Sequence, residues 1–158
     1  MLRKLCVIAA AAALVAAPLP SLAQGKKDSV VMGMTLEPPG LDPTNAAAAA
    51  IAEVTLYNVY ETLTKINEDG SVSPLLAESW QASPDLKTYT FKLRKGIKFH
   101  NGEPFDSAAV KFSFDRAAAP TSTNKDKSLY QAFASVTAPD PETVVVALKY
   151  SEPNLPFL

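Results

Sequence analysis

The sequence predicts an α+β fold with more strand than helix beyond Leu63. Three stretches carry that expectation. "TYTFKL" (Thr88 to Leu93) alternates strictly, with Tyr89, Phe91 and Leu93 on one side and Thr88, Thr90 and Lys92 on the other, as the two-residue period of a strand requires. "FDSAAVKFSFDRAAAP" switches to the helical period, with Val110, Phe114 and Ala117 on one face. "SVTAPDPETVVVALKY" reads as two strands around a Pro-Asp-Pro turn, with Val144 and Val146 facing opposite to Val145.

The remaining elements follow in chain order. Met1 to Lys4 carries Arg3 and Lys4, Leu5 to Ala17 is apolar, and Ser21 and Ala23 hold the small-residue positions of a cleavage site. That order of positive, apolar and small segments defines a secretory signal peptide, residues 1–23, cut after Ala23. Its apolar run falls short of the roughly 20 residues that span a bilayer. Val30 to Met32 and Met34 form a short apolar run expected to be a buried strand, which Pro38, Pro39, Gly40 and Pro43 stop. "TNAAAAAIAEVTLYNVYETL" suits a helix with Thr44 or Asn45 as N-cap and with Tyr57 and Tyr60 on it. Asn67 to Ser71 is a polar turn. Gly96 interrupts the Thr88 strand, after which Ile97 and Phe99 resume its apolar face, and Asn101-Gly102 signals a tight turn. Asp106 is the expected N-cap of the next helix, with Phe105 and Val110 in staple positions and Pro120 as terminator. Thr123 and Asp126 stand at capping-box spacing before a short helix.

Composition excludes several classes of function. The only cysteine, Cys6, lies in the signal peptide, so the mature chain has no disulfide and no thiol chemistry. Cleavage takes two of the 15 basic residues against 16 acidic ones and moves the net charge from −1 to about −3. That balance does not fit a nucleic-acid binder. Lys92, Arg94, Lys95 and Lys98 crowd into seven positions. Strand alternation accounts for them as a solvated face that also discourages edge-to-edge association. His100 stands alone. One histidine makes no zinc site, no Gly-x-Ser-x-Gly elbow accompanies it, and no Gly-rich phosphate loop is present. No catalytic residue, metal ligand or cofactor is assigned, and His100 is expected to serve the turn. Trp80 and the Tyr89, Phe91, Phe99 row are expected to be core, while Tyr57 and Tyr60 stay open between core and ligand contact.

Taken together, "LAESWQASPDLKTYTFKLRKGIKFHNGEPFDSAAVKFSFDRA" (Leu76 to Ala117) resembles the signature region of the family 5 extracellular solute-binding proteins. "EPPGLDP" (Glu37 to Pro43), "NVYETLTKINEDGSVSPLLAESW" and "VTAPDPETVVVALKYSEPNLPFL" resemble flanking family segments in the same order, so the resemblance covers essentially the whole mature chain. One departure is Ala109, where the family often carries an acid before the valine of the helix start.

The resemblance implies an α+β fragment of an α/β two-lobe clamshell of the extended type with an additional small domain. Residues 24–45 would be the first strand and crossover of the larger lobe, and 46–158 the small domain, truncated at its C-terminus. The apolar, proline-punctuated ending "SEPNLPFL" independently suggests a sequence cut short. The implied function is periplasmic capture of a solute, foremost a peptide or oligopeptide, by a monomer that delivers it to the permease subunits of an ABC importer without bond chemistry. Receptors of this kind hold a peptide backbone as an added strand. Met34, Thr35, Leu36 and Glu37 are the candidate ligand contacts, with Glu37 available to a cationic group. Nickel or another small solute is the alternative cargo. A secreted carboxylate-dependent enzyme and, for a naturally short chain, a secreted interaction module are the alternatives of other classes.

Overall fold

A computed structural model describes residues 29–45 and 48–157. The expected signal peptide, its expected cleavage point and Cys6 lie outside the described residues. The chain divides into two units, Met1–Gly33 and Met34–Leu158. In the first, residues 29–33 hold no regular structure. Val30, Val31 and Met32 are 86, 96 and 71 % exposed, which corrects the expected buried strand. A buried strand needs neighbours on both edges and both faces, and residues 29–33 pair with no strand among the described residues.

The second unit opens with exposed, irregular backbone from Met34 to Leu41. Asp42 Oδ1 then accepts from the Thr44 N–H at 2.8 Å and from its hydroxyl at 2.7 Å, closing a turn. Helix α1 spans only Ala49–Thr55 and begins at Ala48 without a side-chain cap. The expected helix over "TNAAAAAIAEVTLYNVYETL" is therefore shortened at both ends. Thr44 and Asn45 belong to the preceding turn. At the other end, the Thr55 hydroxyl donates back to the Ile51 carbonyl at 2.7 Å, Leu56 is extended, and Tyr57 takes φ +63°. Back-bonding of this kind competes with helix propagation, and a left-handed residue ends it. The Asn58 amide donates to the Val54 carbonyl at 3.3 Å and covers one of the helix's last acceptors.

β1 (Thr64–Ile66) and β2 (Val72–Pro74) form an antiparallel hairpin. Its polar turn places Gly70 at φ +79°, a conformation open to glycine without steric cost. The larger sheet contains β3 (Ala77–Ala82), β4 (Thr88–Leu93), β5 (Phe133–Asp140) and β6 (Thr143–Leu148) in the order β3-β4-β6-β5, antiparallel throughout. Its two central strands supply most of the core. Tyr89, Phe91 and Leu93 come from β4, and Val144, Val146 and Leu148 from β6, all buried. Edge strands β3 and β5 add Ala77 and Val136 and carry register shifts that interrupt their pairing. The opposite sheet face holds Thr88, Thr90, Lys92, Val145 and Ala147, so the alternation legible in both strands separates core from solvent.

Helix α2 (Ser107–Ala118) packs on β5 and β6 through buried Val110 and Ala117, with Phe114 against the core. Its cap is the expected one, because Asp106 Oδ1 accepts from the Ala109 N–H at 3.0 Å. Ala109, where the sequence departs from the family pattern, thus serves the helix start through its backbone. Ser107 ties the first turn of α2 to the β5–β6 turn: its N–H donates to the Pro141 carbonyl at 2.9 Å and its hydroxyl to the Asp140 carbonyl at 2.5 Å.

Helix α3 is a single turn, Lys127–Tyr130. The capping box expected from Thr123 and Asp126 is absent, since Asp126 makes no side-chain cap. Asn124 Oδ1 accepts from the Asp126 N–H at 2.8 Å instead, which turns the chain one step earlier. Tyr130, Phe114 and Phe133 hold α3 in place, their ring centroids 5.5 to 6.0 Å apart. Edge contacts of this kind contribute about 0.5–1.5 kcal/mol each beyond the area they bury. Burial, followed by the nearby Asp126 charge, raises the Tyr130 hydroxyl above its ordinary pKa. The chain closes on a 3-10 turn, Leu155–Phe157, whose Pro156 carbonyl accepts from the buried Thr64 hydroxyl at 2.6 Å.

Candidate functional site

Met34, Thr35, Leu36 and Glu37 are all exposed, and Thr35 and Leu36 lie in a bend. Leu36 is 69 % exposed. None of the four takes part in a backbone hydrogen bond among the described residues. Their N–H and C=O groups thus have no protein partner there, which is the backbone state that strand addition uses. The segment is not the end of a regular strand. Past it, the Lys125 N–H donates to the Thr44 carbonyl at 2.8 Å and ties the turn at Thr44 to the loop before α3.

The basic run has structural partners. Lys92 Nζ donates to the Thr143 hydroxyl at 2.7 Å, Arg94 Nε donates to the Leu75 carbonyl, and Lys95 Nζ sits 2.9 Å from Glu142. The hydrogen bond and charge of Glu142 hold the Lys95 ammonium above its ordinary pKa. Three of the four cations therefore have side-chain partners on the sheet or its turns, while at Lys98 it is the backbone that forms an isolated β-bridge with Pro104. His100 occupies an exposed turn.

The aromatic residues divide. Tyr89 and Phe91 are core and Trp80 is half-buried against it, as the strand spacing implies. The Tyr89 hydroxyl donates to the Glu152 carbonyl at 2.9 Å, and burial, with the Glu152 charge behind it, raises its pKa. Phe99, expected in the same row, is 45 % exposed and meets Phe105 edge-on at 6.0 Å. Gly96 at φ +74° turns the chain out of the sheet before Ile97, so the alternation does not continue across it. Tyr57 and Tyr60 lie beyond the end of α1 rather than on it. Both are partly exposed, and Lys65 Nζ stands 5.2 Å from the centre of the Tyr57 ring. The sequence placed these two tyrosines on the wrong element because nothing in "VTLYNVYE" announces a left-handed residue at Tyr57.

Two depressions mark the surface of the second unit. One, of about 180 Å³, is lined largely by apolar side chains including Leu129, Phe133, Leu148, Tyr150 and Leu155. That is smaller than the roughly 300–1,000 Å³ of small-molecule pockets. The other, of about 480 Å³, is lined by the consecutive residues Lys65 to Asp69. Its volume would suit a ligand, but five residues of one turn cannot surround one. No group of three or more His, Cys, Asp and Glu placed to hold a metal occurs among the described residues. The described residues form no enclosing site.

Comparison with known proteins identifies the class. The family model of bacterial extracellular solute-binding proteins, family 5 Middle, matches residues 71–158, and the chain belongs to that family. It is 39 % identical over 109 residues to the glutathione-binding protein GsiB of Escherichia coli K12, an alignment spanning 69 % of this chain and 21 % of that protein. Among solved structures it resembles NikZ of Campylobacter jejuni in complex with Ni(L-His), with TM-score 0.68 and 27 % identity over 77 % of this chain and 24 % of that one. It also resembles Haemophilus influenzae OppA in complex with the peptide RPPGFSPFR, with TM-score 0.66 and 29 % identity over 74 % of this chain and 26 % of that one. The chain thus spans about a fifth of the length of the curated relatives it matches. Its fold is the expected one, an α+β portion of the two-lobe periplasmic binding proteins.

Proposed function

We propose that this chain is the N-terminal part of a periplasmic receptor that captures peptides, short ones such as glutathione included, for an ABC importer. The observation that carries the reading is the 39 % identity to glutathione-binding proteins over most of the chain. In a protein of the relatives' length, 24–45 would supply the crossover of the larger lobe and, once the rest of that lobe offers pairing edges, its first strand, and 46–158 the small additional domain. Ligand would bind between the lobes, favour their closure by touching both, and pass to the permease subunits. No bond is made or broken in this scheme.

Met34 to Glu37 is the proposed ligand-facing segment. Its exposed backbone supports a strand-addition mode, in which main-chain hydrogen bonds supply affinity with little side-chain selectivity. Glu37 would meet the ligand's cationic amine. A nickel complex is the second reading, favoured by the likeness to NikZ.

Export, cleavage and length are tested together by the intact mass of the native protein recovered from the periplasm. The reading expects a mass several times that of this chain, beginning at Gln24. A mass matching 24–158 would leave no second lobe and put a secreted interaction module in its place. Titration of the native protein with glutathione, a mixed tripeptide pool and nickel–histidine then separates the cargoes. Saturable binding of either peptide probe supports the peptide reading. Binding of nickel–histidine alone overturns it.

A further inference from the structure

Asn101-Gly102 is the one Asn-Gly step in the sequence; the other asparagines precede Ala, Val, Glu, Lys or Leu. It lies in a tight turn outside the main sheet. The Gly102 N–H donates to the Phe99 carbonyl at 2.9 Å, and the Phe99 N–H donates to the Glu103 carbonyl at 2.8 Å. Asn101 Oδ1 accepts from the Glu103 N–H at 3.0 Å. Gly102 has φ +87°, and a Cβ built there meets nothing within 4 Å. Both residues are exposed. The carboxamide carbon is thus joined through one short backbone link to the nitrogen of an exposed residue that carries no side chain. One hydrogen bond, to the Phe99 carbonyl, holds that nitrogen, and the Phe99–Glu103 and Asn101–Glu103 bonds brace the turn around it.

We propose that Asn101 is a site of spontaneous deamidation through a succinimide, with water as co-reactant and opening of the turn as the gate. When the bond to Phe99 breaks, the Gly102 nitrogen gives its proton to solvent base and attacks Asn101 Cγ. The new N–Cγ bond forms as the Cγ–Nδ2 bond breaks, and Nδ2 takes a proton and leaves as ammonia. Water then opens the imide. Cleavage at the side-chain carbonyl yields aspartate, and cleavage at the main-chain carbonyl yields isoaspartate. No electron transfer is involved. Asparagine is among the thermolabile residues, and glycine after it removes the steric barrier to attack. A turn held by so few bonds opens locally, without global unfolding.

The two products differ in consequence. Aspartate keeps an acceptor for the Glu103 N–H and adds one negative charge. Isoaspartate lengthens the backbone by one carbon, which breaks the Gly102–Phe99 register and the bridge between Lys98 and Pro104 that precedes α2.

The test is incubation of the intact folded chain in mildly alkaline buffer, followed by tryptic mapping and enzymatic isoaspartate methylation. The peptide 99–111 should gain the mass of an amide-to-acid conversion before any peptide holding Asn67, Asn124 or Asn154 does. It should contain both aspartate and isoaspartate, and Asn101→Gln should abolish both. Earlier conversion of another asparagine, an unchanged 99–111 peptide, or aspartate as the sole product would overturn the proposal.

Discussion

Residues 64–157 and residues 34–62 are built on different terms. In the first stretch, each strand of the four-stranded sheet pairs with a neighbour, and Val144 and Val146 have no solvent contact. In the second, a seven-residue helix is the main regular element, and Leu36, Leu41, Tyr57, Val59 and Tyr60 remain exposed. The sheet region closes its hydrogen bonds and buries its apolar face within about 90 residues. The segment before it buries Ala50, Ile51 and Thr55 of α1 but leaves those other apolar side chains uncovered. One region builds a paired sheet over a buried core, and in the other Met34 to Glu37 present backbone and side chains outward.

The sharpest way to break this contrast is to empty the sheet. Phe91→Ala, at the centre of β4, should cost about 3–5 kcal/mol by chemical denaturation, the range for removing a buried aromatic ring. A loss below about 1 kcal/mol would mean that the core does not carry the fold. Thr64→Val keeps the shape of a buried side chain and removes its donor to the Pro156 carbonyl. The buried acceptor should cost about 1–3 kcal/mol in the same assay. Asp106→Ala should cost about 1 kcal/mol through the lost helix cap, and Asp106→Ser should recover most of it.

Acid sharpens the contrast in another way. Hydrogen bonds hold Asp69, Asp85 and Asp140 below the usual aspartate pKa: from the Ser71 hydroxyl and N–H, from the Ser83 hydroxyl and the Lys87 N–H, and from the Thr143 hydroxyl and the Glu142 N–H. A depressed folded-state pKa gives stability that is present above the unfolded value and lost as pH falls through the folded one. The thermal midpoint should therefore decline as pH drops below about 4, and Asp140→Asn should flatten that decline. The smallest effect is expected at the other region. Thr35→Pro should leave the unfolding midpoint unmoved while weakening ligand binding in the complete protein. An unchanged affinity with intact folding would remove Thr35 from the site.

What the sequence revealed follows the same division. Strand alternation in "TYTFKL" and "TVVVAL", the Asp106 cap and the glycine turns depend on neighbours a few residues away, and each appears where local chemistry places it. The family was legible too, because its longest motif, Leu76 to Ala117, lies in the sheet region that the family model matches. Elements that depend on distant partners were less legible. Val30 to Met32 has the composition of a buried strand, but burial requires neighbours that composition cannot supply. The long helix expected from Thr44 onward stops at Thr55, where a hydroxyl and a left-handed tyrosine override alanine's propensity. Phe99 kept the parity of a core residue but lost its place when Gly96 turned the chain away. Met34 to Glu37 stands out in the sequence only by its position before two prolines, and the structure leaves it exposed.

The most direct measurement is amide hydrogen exchange on the native protein, with and without saturating glutathione or the tripeptide pool. Amides of β4 and β6 should exchange slowly in both states. Those of Met34 to Glu37 should exchange within seconds without ligand and slow markedly once a peptide occupies the site. Bound peptide with no added protection anywhere in 34–37, or protection appearing only within the sheet, would contradict a ligand-facing role for this segment.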